Sequence, residues 1–173
     1  MNDFISIVDT NVPLAANRQA DVSGECVLEC VKYLKEIMEN GGIALDDQWR
    51  ILGEYMHKLS SCGQPGVGDA FFKWLLTNQA NPERCALVAI TPKLDDELDF
   101  VEFPNHPKLQ NFDRSDRKFV AVSAAHPEHP PILQATDSKW WGWKNALAEC
   151  EIEVMFLCPD EIAEKYAKKI GDS

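Results

Sequence analysis

"FISIVDTNVPLAA", residues 4–16, decides how the rest of the chain is read. Phe4 to Val8 form an apolar run interrupted only by Ser6, which predicts a buried strand over 4–8. The run ends on Asp9. A carboxylate buried without partners is expensive, so Asp9 is either a turn former or the start of a site.

The chain has 173 residues, of which 45% are apolar, enough for one domain over residues 1–173 with a core of ordinary size. Net charge is −11 and the pI is near 4.7. That balance excludes general attraction to phosphate backbones and suits a basic partner or a cation-loaded site, so any nucleic-acid activity has to be local and metal-assisted. No stretch has the length of a membrane span, and the first apolar run lacks the cationic flank of a signal peptide, which predicts a cytoplasmic protein. The cysteines at 26, 30, 62, 85, 150 and 158 form no CxxC pair and mostly sit in apolar runs. They read as reduced and structural.

Beyond the first strand, Val27, Val31, Leu34 and Met38 recur at helical spacing between a capping Asp21 or Ser23 and the stop at Gly41-Gly42. "IAL" (43–45) predicts a short strand. Asp46 or Asp47 then caps a helix reaching about Ser61, with Leu52, Tyr55, Met56 and Leu59 inward. "DAFFKWLLTN" (69–78) predicts a helix, and "CALVAI" (85–90) a strand covered on both faces. Residues 91–113 are acidic and without a clean period, an irregular insertion read as loop, its charges a solvated face. A helix over about 115–125, a strand at 132–136, a helix near 140–149, a strand at 152–157 and a last helix after Pro159 complete the pattern. Alternating strands and helices predict an α/β three-layer sandwich around a mainly parallel sheet.

In such a sheet ligands bind along the edge where strands end. Asp9 and Asp137 each end a strand there, and Asp116 lies in the first turn of the helix feeding the second of them. Singly, Asp116 could be a helix-dipole partner with Ser115 as cap, and Asp9 and Asp137 simple turn formers. Together, three anions repel unless a multivalent cation neutralises them. Oxygen ligands without cysteine or histidine spacing favour Mg²⁺ or Mn²⁺, which commonly act on phosphate esters.

These residues resemble the PIN-domain nucleases: "VDTNV" (8–12) is similar to their first-strand signature, "EY" (54–55) to their helical glutamate, "DRKFVAVSAA" (116–125) to their third acidic helix, and "ATDSKW" (135–140) to their last strand-end aspartate. The order matches over nearly the whole chain. The resemblance implies a PIN-like fold and a catalytic quartet of Asp9, Glu54, Asp116 and Asp137, with Asn11 holding the first loop and counted among the substrate-binding residues. It also implies hydrolysis of RNA by a toxin or defence nuclease under a neighbour-encoded inhibitor. On the helical projection Glu54 lies away from the Leu52/Met56/Leu59 stripe, where it would pair with Lys58 at i+4. Asp113 is a fifth carboxylate or a turn residue.

After Asp137 come Lys139, Trp140, Trp141, Trp143 and Lys144. Indoles stack on unpaired bases and lysines meet phosphates, which predicts a single-stranded substrate touched by Lys139 and Trp140; the alternative is helix packing for at least two of the three tryptophans. "GQPGVGD" (63–69) is not a phosphate-binding loop, and the four histidines have no metal-ligand spacing. The expectation is a Mg²⁺- or Mn²⁺-dependent endoribonuclease with Asp9, Asp116 and Asp137 as metal ligands. Its rivals are a catalytically silent PIN-like module binding a basic partner, and an aspartate-nucleophile phosphatase, which "DTN" fits poorly because the second aspartate of that motif is missing.

Overall fold

The computed structural model describes residues 4–172. Strands β1 (Ile5–Val8), β2 (Gly42–Asp46), β3 (Cys85–Val88), β6 (Ile132–Gln134) and β7 (Val154–Phe156) form one parallel sheet in the order β3-β2-β1-β6-β7. Helices α1 (Asn11–Ala16), α2 (Gly24–Asn40), α3 (Arg50–Lys58), α4 (Val67–Asn78), α5 (Arg117–Ala125), α6 (Ser138–Glu149) and α7 (Pro159–Gly171) flank it. The chain steps outward from β1 to β2 and β3, then returns to the other side of β1 as β6. That reversal beside β1 makes the C-terminal ends of β1 and β6 a topological switch point. α1, α2 and α4 pack on one another, while α5 lies against β1, β2 and β6.

The central strands read as continuous apolar runs because both faces are covered; Ile7, Val8, Ile43, Ala44, Leu45, Ile132 and Leu133 are buried. β3 departs from that expectation. It is an edge strand whose Leu87 is about half exposed, because no strand follows it on its outer side. α2 begins as predicted, with Ser23 Oγ accepting from Cys26 N at 3.1 Å, and ends before Gly41. The first loop holds an unpredicted helix, α1, whose Val12, Pro13, Ala15 and Ala16 are buried.

α3 is shorter than predicted and rotated. Ile51 is buried and Met56 is exposed, so the buried stripe is Ile51, Leu52 and Tyr55. Its start is set by Asp46, whose fully buried carboxylate accepts from Arg50 N at 3.0 Å and Ile51 N at 2.9 Å. "GQPGVGD" serves packing: a Cβ on Gly68 would lie 2.0 Å from Pro13 O, so glycine lets α4 approach α1.

The acidic insertion is more ordered than a loop. Residues 91–113 contain an antiparallel hairpin, β4 (Pro92–Lys93) with β5 (Asp96–Phe100), and a short 3₁₀ turn at Pro107–Leu109. Phe100, Leu109 and Phe112 anchor it in the core. Its carboxylates are paired rather than merely solvated: Asp99 meets Lys93 at 2.6 Å and Arg117 at 2.9 Å, and Asp96 binds Arg114. Another correction concerns the cysteines. Cys26 and Cys158 form a disulfide that ties the start of α2 to the start of α7 across 132 residues, whereas Cys30, Cys62, Cys85 and Cys150 are free.

Candidate metal centre at the switch point

Asp9 follows β1 directly and is almost fully buried, at 6% exposure. Its Oδ1 accepts from Asn11 N at 3.0 Å and its Oδ2 from Gln134 Nε2 at 3.1 Å. Both partners are neutral. Burial above all, then the charges of Asp116, Glu54 and Asp137, push the Asp9 carboxyl up to about 8, against the smaller opposing effect of the Asn11 amide.

Asp116 closes the 3₁₀ turn Arg114–Asp116 that leads into α5. Its Oδ2 accepts from Trp140 Nε1 at 3.4 Å. Desolvation raises it to about 6, with Asp137 and Glu54 adding to the rise and Trp140 and Lys118 opposing it. Neither Asp116 nor Ser115 makes a side-chain cap to α5. Asp137 is the N-cap of α6, accepting from Lys139 N at 3.0 Å. Oxygens of Asp113, Asp116 and Asp137 lie within 4.8 Å of one another. Asp9, expected as a ligand, is not among them.

Glu54 is at the site and not on the outer face of α3. It accepts from Thr10 Oγ1 and from Lys118 Nζ, the latter at 3.1 Å; Lys118 also donates to Ser115 O. Lys58 is not its partner among the described ion pairs, because the rotation of α3 turns Glu54 toward α5. Lys139 Nζ sits on both oxygens of Asp113, at 3.2 and 2.9 Å.

The residue that joins the two strand ends is Gln134, fully buried and absent from the sequence-based site. Besides donating to Asp9, its Oε1 accepts from Asn11 Nδ2, from Ala135 N at 3.0 Å and from Asp137 N at 3.3 Å. Asn11 Oδ1 in turn accepts from Ala135 N at 3.0 Å, so Asn11 cross-braces the loops rather than facing a ligand. A polar residue inside "PILQATD" was the available signal.

Trp140 cannot stack on a base. It is fully buried, packed edge-on against Phe112 at 5.0 Å. Trp143 also lies on Phe112, at 4.4 Å, and Trp141 packs edge-on against Phe156 with Lys144 over its ring, both indoles half-buried. The helix-packing alternative holds for these indoles.

The donor set fits a hard divalent cation. It is all oxygen; among the described residues Asp116 and Asp137 take part in no ion pair, while Asp113 is held by Lys139. Mg–O bonds of about 2.1 Å place opposite ligands about 4.2 Å apart, a small adjustment from the trio's spacing. Asp113, Asp116 and Asp137 are the residues that could hold such an ion.

No family model, no curated protein and no solved structure matches this chain. No helix among the described residues is long and apolar enough to cross a membrane.

Proposed function

We propose that this chain is a PIN-like endoribonuclease that uses Mg²⁺ or Mn²⁺ to hydrolyse phosphodiester bonds in single-stranded RNA. One observation carries the reading: five carboxylates, Asp9, Glu54, Asp113, Asp116 and Asp137, gather at the switch point of a parallel sheet, and the most buried has only neutral partners. Keeping such a group costs stability, a cost that a cation-binding role explains.

A divalent ion at the trio would stabilise charge on the phosphoryl oxygens and acidify water. Asp113, Asp116 and Asp137 would hold it. Glu54, fixed between Thr10 and Lys118, would orient the attacking water and take its proton while the bond from phosphorus to the leaving ribose oxygen breaks. Gln134 and Asn11 keep Asp9 and Asp137 in register across the two strand ends. A toxin or defence role with a neighbour-encoded inhibitor rests on the resemblance alone.

The catalytically silent module is the second reading, favoured by Lys118 on Glu54 and Lys139 on Asp113, which already neutralise two of the five carboxylates. Incubation of a labelled unpaired oligoribonucleotide with Mn²⁺ separates the two. Cleavage by the wild type that disappears in chelator and in Asp116→Asn supports the nuclease; an uncut substrate in every condition supports the module.

A further inference from the structure

The hairpin β4–β5 and helix α3 enclose a groove of about 660 Å³ that opens beside Glu54 and Lys118. In a protein of net charge −11, this groove is lined by Arg50, Lys58, Arg114 and Lys118 against only Glu54 and Glu97. At its lip stands Trp49, 40% exposed, with φ 61° and ψ 25°. That left-handed conformation is costly for a bulky side chain and is held by the Asp46 carboxylate, which accepts from the amides on both sides of Trp49, Gln48 and Arg50. Trp49 so held leaves its indole 40% exposed at the groove.

We infer that this groove is the track for an unpaired polynucleotide segment, Trp49 stacking on a base and Lys58 meeting a phosphate next to the carboxylates. The inference rests on the nuclease reading for its direction, since the groove shares Glu54 and Lys118 with that site. Arg50, Arg114 and Lys118 are already paired with Asp46, Asp96 and Glu54, whereas Lys58 is exposed and belongs to none of the ion pairs among the described residues. Lys58 is thus the cation available to a phosphate at no cost in broken pairs. An exposed indole selects a strand whose bases are not already stacked in a duplex. The insertion that supplies the hairpin builds one wall of the track, and its ion pairs to Arg114 and Arg117 hold that wall against the start of α5.

Fluorescence anisotropy of a labelled twelve-residue oligouridylate, in chelator so that no bond is cut, tests the track. Wild type binds the single strand and binds the matching duplex more weakly. Trp49→Ala weakens binding roughly 5- to 150-fold, the range expected for one lost stack, and Trp49→Phe restores most of it. Lys58→Ala flattens the plot of log affinity against log salt by about 0.7, one phosphate contact on a single strand. Lys35→Ala, on the distant α2, changes neither. Circular dichroism confirms folding of each variant. Wild-type affinity in both Trp49→Ala and Lys58→Ala, or equal binding of duplex, overturns the track. Track-dependent binding without Mn²⁺-dependent cleavage would remove the nuclease reading and leave the track standing, while cleavage with no effect of either variant would remove the track alone.

Discussion

Asp9 makes the folded protein less stable as pH rises, and the size of the effect follows from its surroundings. An unfolded aspartate titrates near 3.9, whereas burial and the neighbouring carboxylates hold Asp9 at about 8. Below the unfolded value both states carry the proton and Asp9 contributes no penalty. Between the two values the unfolded chain has lost the proton and the folded chain keeps it, so unfolding becomes easier by about 1.4 kcal/mol for each pH unit. The loss saturates above about pH 8. From pH 6 to pH 7.5, across which Asp116 at about 6 passes from half to almost fully ionised, Asp9 itself accounts for about 2 kcal/mol. That is a large share of the ~5–15 kcal/mol typical of a domain.

Asp9→Asn removes the titration. Its amide would meet the Gln134 Nε2 donor, a pH-independent cost of about 1–3 kcal/mol that moves the whole curve without changing its slope. Urea unfolding followed by tryptophan fluorescence in chelator should therefore give a wild-type stability that falls about 2 kcal/mol more than the variant's over this range. Saturating Mn²⁺ should flatten the wild-type curve, since a bound cation favours the ionised carboxylate. Parallel curves in chelator would refute the reasoning, because Asp9 would then already be ionised in the folded protein at pH 6.

Glu54→Gln should abolish most RNA cleavage and cost about 1–3 kcal/mol of stability, since it leaves the largely buried Lys118 ammonium facing a neutral acceptor; initial rates and urea melts measure the two effects. Trp140→Ala should destabilise the fold by about 3–5 kcal/mol, as expected for a truncated core aromatic, and any loss of RNA affinity should follow the unfolded fraction. Loss of Cys26–Cys158 should lower stability by up to about 5 kcal/mol on chain-entropy grounds, and a Cys26→Ser/Cys158→Ser double variant that melts at the wild-type Tm would contradict it.

The five strands of the parallel sheet and the places of Asp9, Asp116 and Asp137 were legible along the chain, because apolar runs, caps and crossover rules are local or topological, whereas the β4–β5 hairpin was not. Strand-end residues on neighbouring parallel strands must meet wherever the order brings those strands side by side. What the linear pattern could not carry was the direction in which half-apolar surfaces turn. α3 has apolar residues at 51, 52, 55, 56 and 59, enough for two overlapping stripes, and only packing decided that Ile51 goes in and Met56 stays out, which swings Glu54 from Lys58 to Lys118. Trp140 has the same composition-level identity as a base-stacking indole, and its burial against Phe112 depends on an insertion that shows no period. Gln134 with Asp9, Glu54 with Thr10 and Cys26 with Cys158 are paired across 125, 44 and 132 residues. Such pairs become neighbours only after the sheet has closed, so hydrogen bonding and desolvation at the switch point belong to the tertiary structure, while the residues that feel them were already visible in the chain.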